Sequence, residues 1–150
     1  NTWTQETQGR SRVNANLDNA SANVMANLTG LSAQLFAGRK YSGQLVLFCT
    51  NSIAAEGFKC DFDGGTATMT SFRAHGTVFD TAGLQNVAQT SALATDFTIT
   101  TLTGDAIVEI NFGFVCNGAG TFIPRAAPVA RVTGQTTVYA NSYMWLDDMP

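Results

Sequence analysis

This sequence has unusually few charged residues. Only 13% of its 150 residues are charged, about half the usual share of a soluble domain, while 45% are hydrophobic. The formal net charge is −3, and the eight basic residues are scattered from Arg10 to Arg131. Because phosphate binding needs a continuous stripe of cationic side chains, we expect no nucleic-acid partner. We expect other subunits to cover part of the surface. A monomer solvated by its many Thr, Asn, Gln and Ser residues is the alternative.

The chain also lacks long apolar runs and an even number of cysteines. Its best apolar run, residues 44–49, falls far short of the ~20 residues of a membrane span, so we expect no membrane partner. The three cysteines, Cys49, Cys60 and Cys116, cannot all pair within one chain, and none belongs to a CxxC motif. Each lies in an apolar, strand-like segment, which predicts reduced, buried thiols and folding in a reducing cytoplasm. A bridge between Cys49 and Cys60 is the alternative.

Catalytic and metal-binding residues are equally sparse. His75 is the only imidazole, and no Gly-x-Ser-x-Gly motif presents a serine nucleophile. The hypothesis of a small hydrolase therefore depends on His75 alone. We expect His75 to be a structural or subunit-interface histidine and the protein not to be an enzyme. The pair Asp61 and Asp63 lacks the further oxygen ligands of a calcium loop. These acids predict a solvated strand face that ends in a hairpin, and we expect no metal and no cofactor.

What the sequence does contain is a repeated two-residue alternation. Residues 106–116 are the clearest strand, with Ala, Val, Ile, Phe, Phe and Cys on one face. The Asp-Gly-Gly run at 63–65 predicts a tight hairpin with the next strand at 66–72. Residues 80–96 are polar and small, and they predict one long connection. Turn signals recur about every ten residues over eight or more strands, which indicates an all-β, antiparallel β-sandwich.

The first 27 residues differ from the rest in being polar and rich in asparagine. They predict an N-terminal arm (1–27) that leads into a β-domain (28–150), with a short helical turn near 16–26 as an alternative. Trp3 is the candidate anchor of this arm, and Val13 and Leu17 are among its spaced apolar positions.

A group of aromatic residues lies near the other end of the chain, at Tyr139, Tyr143 and Trp145. Tyr143 and Trp145 share a strand face because they are two residues apart. Such rings stack on sugars, and they also serve in core packing or in contacts between subunits.

Several segments of the chain together form a familiar pattern. They are AHGTVFDT (74–81), SALATD (91–96), LTGD (102–105), GTFIPR (120–125) and NSYMWLDDMP (141–150), and AGRKY (37–41) and KCDFDGG (59–65) fit the same pattern. This pattern resembles tailed-bacteriophage virion proteins. The resemblance covers roughly residues 28–150. It implies a jelly-roll-like β-sandwich, often trimeric, on phage heads or at the ends of tail proteins, and it carries over no catalytic residue.

Two functions follow from the resemblance and the arm. The first is a capsid decoration (cement) protein, a homotrimer on the virion surface that contacts the major capsid protein or another virion protein through Trp3, Val13 and Leu17. The second is the receptor-binding tip of a tail fibre or spike, in which Tyr139, Tyr143 and Trp145 face a host glycan.

Overall fold

The computed structural model describes residues 9–21 and 24–149, with the backbone alone at 86–88. Its secondary structure is almost entirely β, and the strand pairs are antiparallel, so the all-β prediction is confirmed. The jelly-roll order of strands stays a prediction. The strands are β1 (Gly9–Arg12), β2 (Leu17–Asn19), β3 (Ala26–Asn27), β4 (Ala33–Leu35), β5 (Lys40–Asn51), β6 (Phe58–Asp61), β7 (Thr68–Asp80), β8 (Gly83–Thr90), β9 (Phe97–Ile99), β10 (Asp105–Gly118), β11 (Gly120–Phe122), β12 (Arg125–Ala127), β13 (Thr136–Val138) and β14 (Tyr143–Met149). Residues Ala54–Glu56 form one 3-10 turn. No helix among the described residues is long and apolar enough to cross a membrane.

The main sheet has the order β1-β14-β5-β10-β7-β8, and β13 joins β2 to the remaining length of β5. The long strands β5 and β10 form its centre because both carry apolar residues at every second position. The predicted inward face of β10 is confirmed: Ala106, Val108, Ile110, Phe112, Phe114 and Cys116 are all at most 5% exposed. The opposite face of this sheet is directed outward.

A second layer covers the inward face of the main sheet. It consists of the sheet β3-β12-β6-β9 and the strand pair β11-β4. Aromatic side chains fill the space between the layers; Phe62 stacks on Phe122 at 5.3 Å between ring centroids and lies 5.1 Å from Phe112 of the main sheet. The three cysteines lie in this core as free, buried thiols. This core determines which side of each long strand is directed outward.

The predicted hairpin at 63–65 is wrong. Strand β6 belongs to the second layer and β7 to the main sheet, so the connecting residues cross between sheets. Gly65 lies against the backbone of β11, where a Cβ atom would come within 2.0 Å of the Thr121 carbonyl oxygen. Thr66 and Ala67 both donate their N–H groups to that oxygen. The glycines therefore allow the connecting backbone to pass close to β11 where it crosses between the sheets.

The long connection predicted at 80–96 is also wrong, because residues 83–90 form strand β8. It follows β7 through a tight turn and pairs with it as the last strand of the main sheet. An edge strand with one solvated face can be built from small and polar residues, and such a segment resembles a loop in its composition.

Residues 9–19, at the N-terminal end of the described chain, are hydrogen-bonded to the C-terminal strands. Strand β1 pairs with β14 and β2 with β13. Between them, the Val13 N–H donates to the Ser142 carbonyl and the Asn141 N–H donates to the Val13 carbonyl, at 2.9 and 2.8 Å. The helical turn considered near 16–26 is wrong, since Leu17–Asn19 and Ala26–Asn27 are extended. The first and the last of the described strands thus lie side by side in one sheet.

Candidate functional site

The outward face of β14 carries two of the three aromatic residues singled out in the sequence. Met144 and Leu146 point into the core, with exposures of 1% and 5%, so the alternate residues Tyr143 and Trp145 point outward. Tyr143 is 39% exposed. The indole Nε1 of Trp145 donates to the Gln44 side chain on β5 at 3.3 Å. The predicted common face of these two rings is therefore present.

Strand β1 places an arginine opposite each of these rings. Arg10 pairs with Trp145 and Arg12 with Tyr143 in the antiparallel register. Together they line an open groove of about 600 Å³, which we call the Arg-aromatic groove; its lining is Arg10, Ser11, Arg12, Asn141, Tyr143 and Trp145. Sequence reasoning missed both arginines. The Arg-Ser-Arg alternation at 10–12 was the available signal, but nothing local shows which strand it pairs with.

Tyr139 lies apart from the Arg-aromatic groove. Its N–H donates to the Phe48 carbonyl on β5, and its hydroxyl donates to Asp105 at the start of β10 at 2.9 Å. This hydrogen bond raises the pKa of Tyr139. The three aromatic residues therefore do not form one surface. Tyr143 and Trp145 lie side by side on β14, whereas Tyr139 is bonded to β5 and β10 just after the end of β13.

A second feature of the outward face is an apolar row across four strands. Ile107 on β10 is directly opposite Phe48 on β5 and Phe79 on β7, and Phe79 is opposite Leu84 on β8. Three of these side chains are exposed: Ile107 is 37% exposed, Phe79 44% and Leu84 58%. We call these four residues the apolar row. Large apolar side chains in a continuous exposed line mark an interaction surface.

The residues predicted to contact a capsid lie in different environments. Val13 is 1% exposed and part of the core, so its side chain has no surface to offer a partner in this structure. Leu17 is half-buried, opposite Val138, and packs against the same core. Trp3 lies outside the described residues.

Asp61 is not on a solvated strand face, and this prediction is wrong. Strand β12 runs beside β6 and places Arg125 opposite Asp61, whose side chain is 1% exposed. The guanidinium binds both carboxylate oxygens, with Nε 2.7 Å from Oδ1. Asp63 lies 3.5 Å from the same guanidinium. The acids therefore hold an arginine between two strands. The described residues contain no group of three or more potential metal-binding side chains.

Glu56 is a buried carboxylate that sequence reasoning did not select. Its Oε1 accepts hydrogen bonds from the N–H groups of Val132, Thr133 and Gly134 at 2.8–2.9 Å. Burial alone would raise the pKa of this carboxyl, but the three N–H groups outweigh it, so the pKa is lowered. Glu56 therefore fixes the conformation of the loop before β13.

His75 lies exposed on the outward face of β7. The residues directly across the sheet are the amides Asn111 on β10 and Gln89 on β8. Neither amide is a nucleophile or an acid, so these neighbours do not form a catalytic set with the imidazole.

Comparison of the chain with known protein families, curated proteins and solved structures finds no match. The Arg-aromatic groove and the apolar row are thus the features from which a function is inferred.

Proposed function

We propose that this chain is a non-enzymatic virion structural protein, a capsid decoration protein that binds the assembled phage head as a homotrimer and stabilises it. The observation that carries the proposal is the apolar row on the outward face. A partner that recognises only the assembled shell shifts the assembly equilibrium toward that shell by mass action. The partner in this proposal is the major capsid protein or another virion protein, and the trimer rests on the resemblance to phage virion proteins.

The surroundings of the apolar row suit a protein partner. The four strands span roughly 14 Å at about 4.8 Å per strand step. Polar residues flank the row on both sides: Thr50 and Asp105 on one, Thr77 and Glu109 on the other. An apolar centre with a polar border is the usual arrangement of a protein–protein interface. The low charge of the chain supports a surface that is partly covered in the assembled state.

The test is head occupancy by a variant in the apolar row. In the double substitution Phe79→Thr and Leu84→Thr, both side chains are replaced where they are already exposed, so we expect the fold to persist. Heads that lack the protein are mixed with purified chain, sedimented, and scored for bound copies. We expect occupancy at limiting protein to fall about tenfold or more, as for the loss of two interface side chains.

The matched control is Val132→Thr, because Val132 is 82% exposed but lies in the loop before β13, far along the chain from the apolar row. We expect this variant to bind heads like the unaltered chain. Full occupancy by the double variant would contradict the proposal, as would failure of the unaltered chain to bind heads at all.

The second candidate function is a receptor-binding tip of a tail fibre or spike. The Arg-aromatic groove favours it, since exposed aromatic rings beside polar side chains are typical of sugar-binding surfaces. Electron microscopy of virions labelled with an antibody to this chain separates the two functions. Label on heads supports decoration, and label confined to tails supports receptor binding.

A further inference from the structure

We propose that the Arg-aromatic groove binds an acidic saccharide, a sugar chain that carries carboxylate groups. This inference rests on the second candidate function for its biological setting and names the class of ligand. Its physical basis is independent of that setting, because it lies in four side chains on two paired strands.

The anion-binding part of the groove is the pair of guanidinium groups on β1. Arg10 and Arg12 are two residues apart, so they lie on one face about 7 Å from each other along the strand. Among the residues that the structure describes, neither arginine has an ion-pair partner. The guanidinium fork matches the two oxygens of a carboxylate. Two exposed arginines that form no ion pair within the described ranges are notable in a chain with only 13% charged residues.

The sugar-binding part of the groove is the pair of rings on β14. Trp145 and Tyr143 have the same two-residue spacing, and each is directly opposite one arginine. Side chains in such a cross-strand pair have Cβ atoms about 5 Å apart. In the described part of the chain the cation–π contact is Arg39 over Phe36, so neither ring of the groove is covered by Arg10 or Arg12. Tyr143 is 39% exposed and Trp145 is half-buried, so each ring keeps part of its surface open to a ligand.

The groove repeats one arrangement twice, with Arg10 beside Trp145 and Arg12 beside Tyr143. A ring can stack on the apolar face of a sugar while the adjacent guanidinium binds the carboxylate of that sugar. Two such pairs in line suit two sugar units of one chain. The cavity of about 600 Å³ lies within the range of ligand sites, roughly 300–1,000 Å³.

Charge distribution favours a short acidic saccharide over single-stranded nucleic acid. Binding of a nucleic-acid strand uses a cationic groove that follows several phosphates. Here Asp147 follows Trp145 by two residues on the same strand face, which ends the cationic surface after two arginines.

The experiment is a binding titration of the purified full chain, followed by tryptophan fluorescence and calorimetry. The probes are tetragalacturonate and a trimer of sialic acid, both of which carry carboxylates. The neutral methyl ester of tetragalacturonate and an oligothymidylate are the comparison ligands. We expect at least one acidic probe to bind, and we expect the ester to bind about tenfold more weakly than its acid because it offers no carboxylate to the arginines.

Two variants test the assignment to this groove. In the double substitution Arg10→Gln and Arg12→Gln, the backbone pairing of β1 is kept, and we expect affinity for the acidic probe to fall about tenfold or more. Arg73→Gln is the control, since Arg73 is an exposed arginine on the outward face of the same sheet, on β7. We expect it to bind within about twofold of the unaltered chain.

Several results would overturn the inference: no binding of either acidic probe, equal binding of acid and ester, undiminished binding by the double arginine variant, or tighter binding of oligothymidylate. Occupancy of heads by the same double variant separates this inference from the decoration function. Head binding depends on the apolar row, so we expect that occupancy to be unchanged.

Discussion

At the scale of single residues, Glu56 shows how one carboxylate organises a loop. Glu56 is 4% exposed and accepts hydrogen bonds from five backbone N–H groups of one loop. Its backbone carbonyl accepts from Val129 and Ala130, and its side chain accepts from Val132, Thr133 and Gly134. The loop leads directly into β13, which pairs with β5. Glu56 therefore orders the segment that leads into β13.

Glu56 predicts an acid-sensitive contribution to stability. The pKa of Glu56 is lowered in the folded chain from an ordinary value of 4.5, so the carboxylate stabilises the fold above pH 4.5. That contribution is lost as the pH falls through the folded-state pKa. We expect Glu56→Gln to reduce the free energy of unfolding at pH 7, and the difference from the unaltered chain to shrink as the pH falls below 4.5. Denaturant titrations at several pH values measure this.

The control for Glu56 is Glu109→Gln, which changes a half-buried carboxylate on the outward face of β10. We expect its effect on stability to be small at every pH, because no backbone N–H of the loop depends on it. A constant difference between Glu56→Gln and the unaltered chain from pH 7 to pH 3 would show that the charge of Glu56 is not what holds the loop.

At the scale of elements, alternation predicted individual strands but not their partners. The inward face of β10 could be identified from residues 106–116 alone, because burial requires an apolar residue at every second position. The hairpin at 63–65 was wrong because glycine pairs permit both a tight turn and a close backbone approach. The polar strand β8 was missed because an edge strand needs little apolar sequence.

The Arg-aromatic groove could be predicted only in part, because strand pairing could not be predicted from the sequence. The common face of Tyr143 and Trp145 follows from their spacing, and the outward position of Ile107 follows from its alternation with Val108. The arginines of β1 could not be assigned, because their partners are more than 130 residues away in the chain. Pairing over such a distance is decided by the whole core and not by local sequence.

The pairing of β1 and β2 with the C-terminal strands predicts that residues 9–19 stabilise the domain. We compare chains that begin at Gly9 and at Ala20. Loss of residues 9–19 removes Val13 from the core and strips the edges of β14 and β13. Burial of a valine alone contributes about 1.5–3 kcal/mol. We therefore expect the shorter chain to unfold at clearly lower denaturant concentration than the chain that begins at Gly9. Equal midpoints would show that these strands are not part of the stable fold.

At the scale of the whole molecule, the outward face of the main sheet carries both candidate surfaces. The Arg-aromatic groove lies on β1 and β14, and the apolar row lies on β5, β10, β7 and β8. In the sheet order the groove occupies the first two strands and the apolar row the four strands that follow. The aromatic core occupies the inward face of this sheet, and the second layer leaves the outward face uncovered.

The three thiols can test whether the two layers unfold together, because each layer contains at least one of them. Cys49 and Cys116 are on the main sheet, Cys60 is on β6 of the second layer, and all three are buried. Burial raises the pKa of Cys49 to about 12 and raises the pKa of the other two thiols. Since the thiolate is the reactive form, the folded chain should react slowly with iodoacetamide at pH 8.

If the sandwich unfolds as one unit, all three thiols become reactive in one transition. We expect mass spectrometry across a denaturant series to show a direct change from unlabelled to triply labelled chains, coincident with the loss of circular dichroism. The Sγ of Cys116 donates to the carbonyl of Gly118, the last residue of β10, so labelling of this thiol reports on the opening of that strand end. A chain labelled only at Cys116 below the main transition would show that this end of β10 opens independently. The sandwich would then not respond as a single cooperative body.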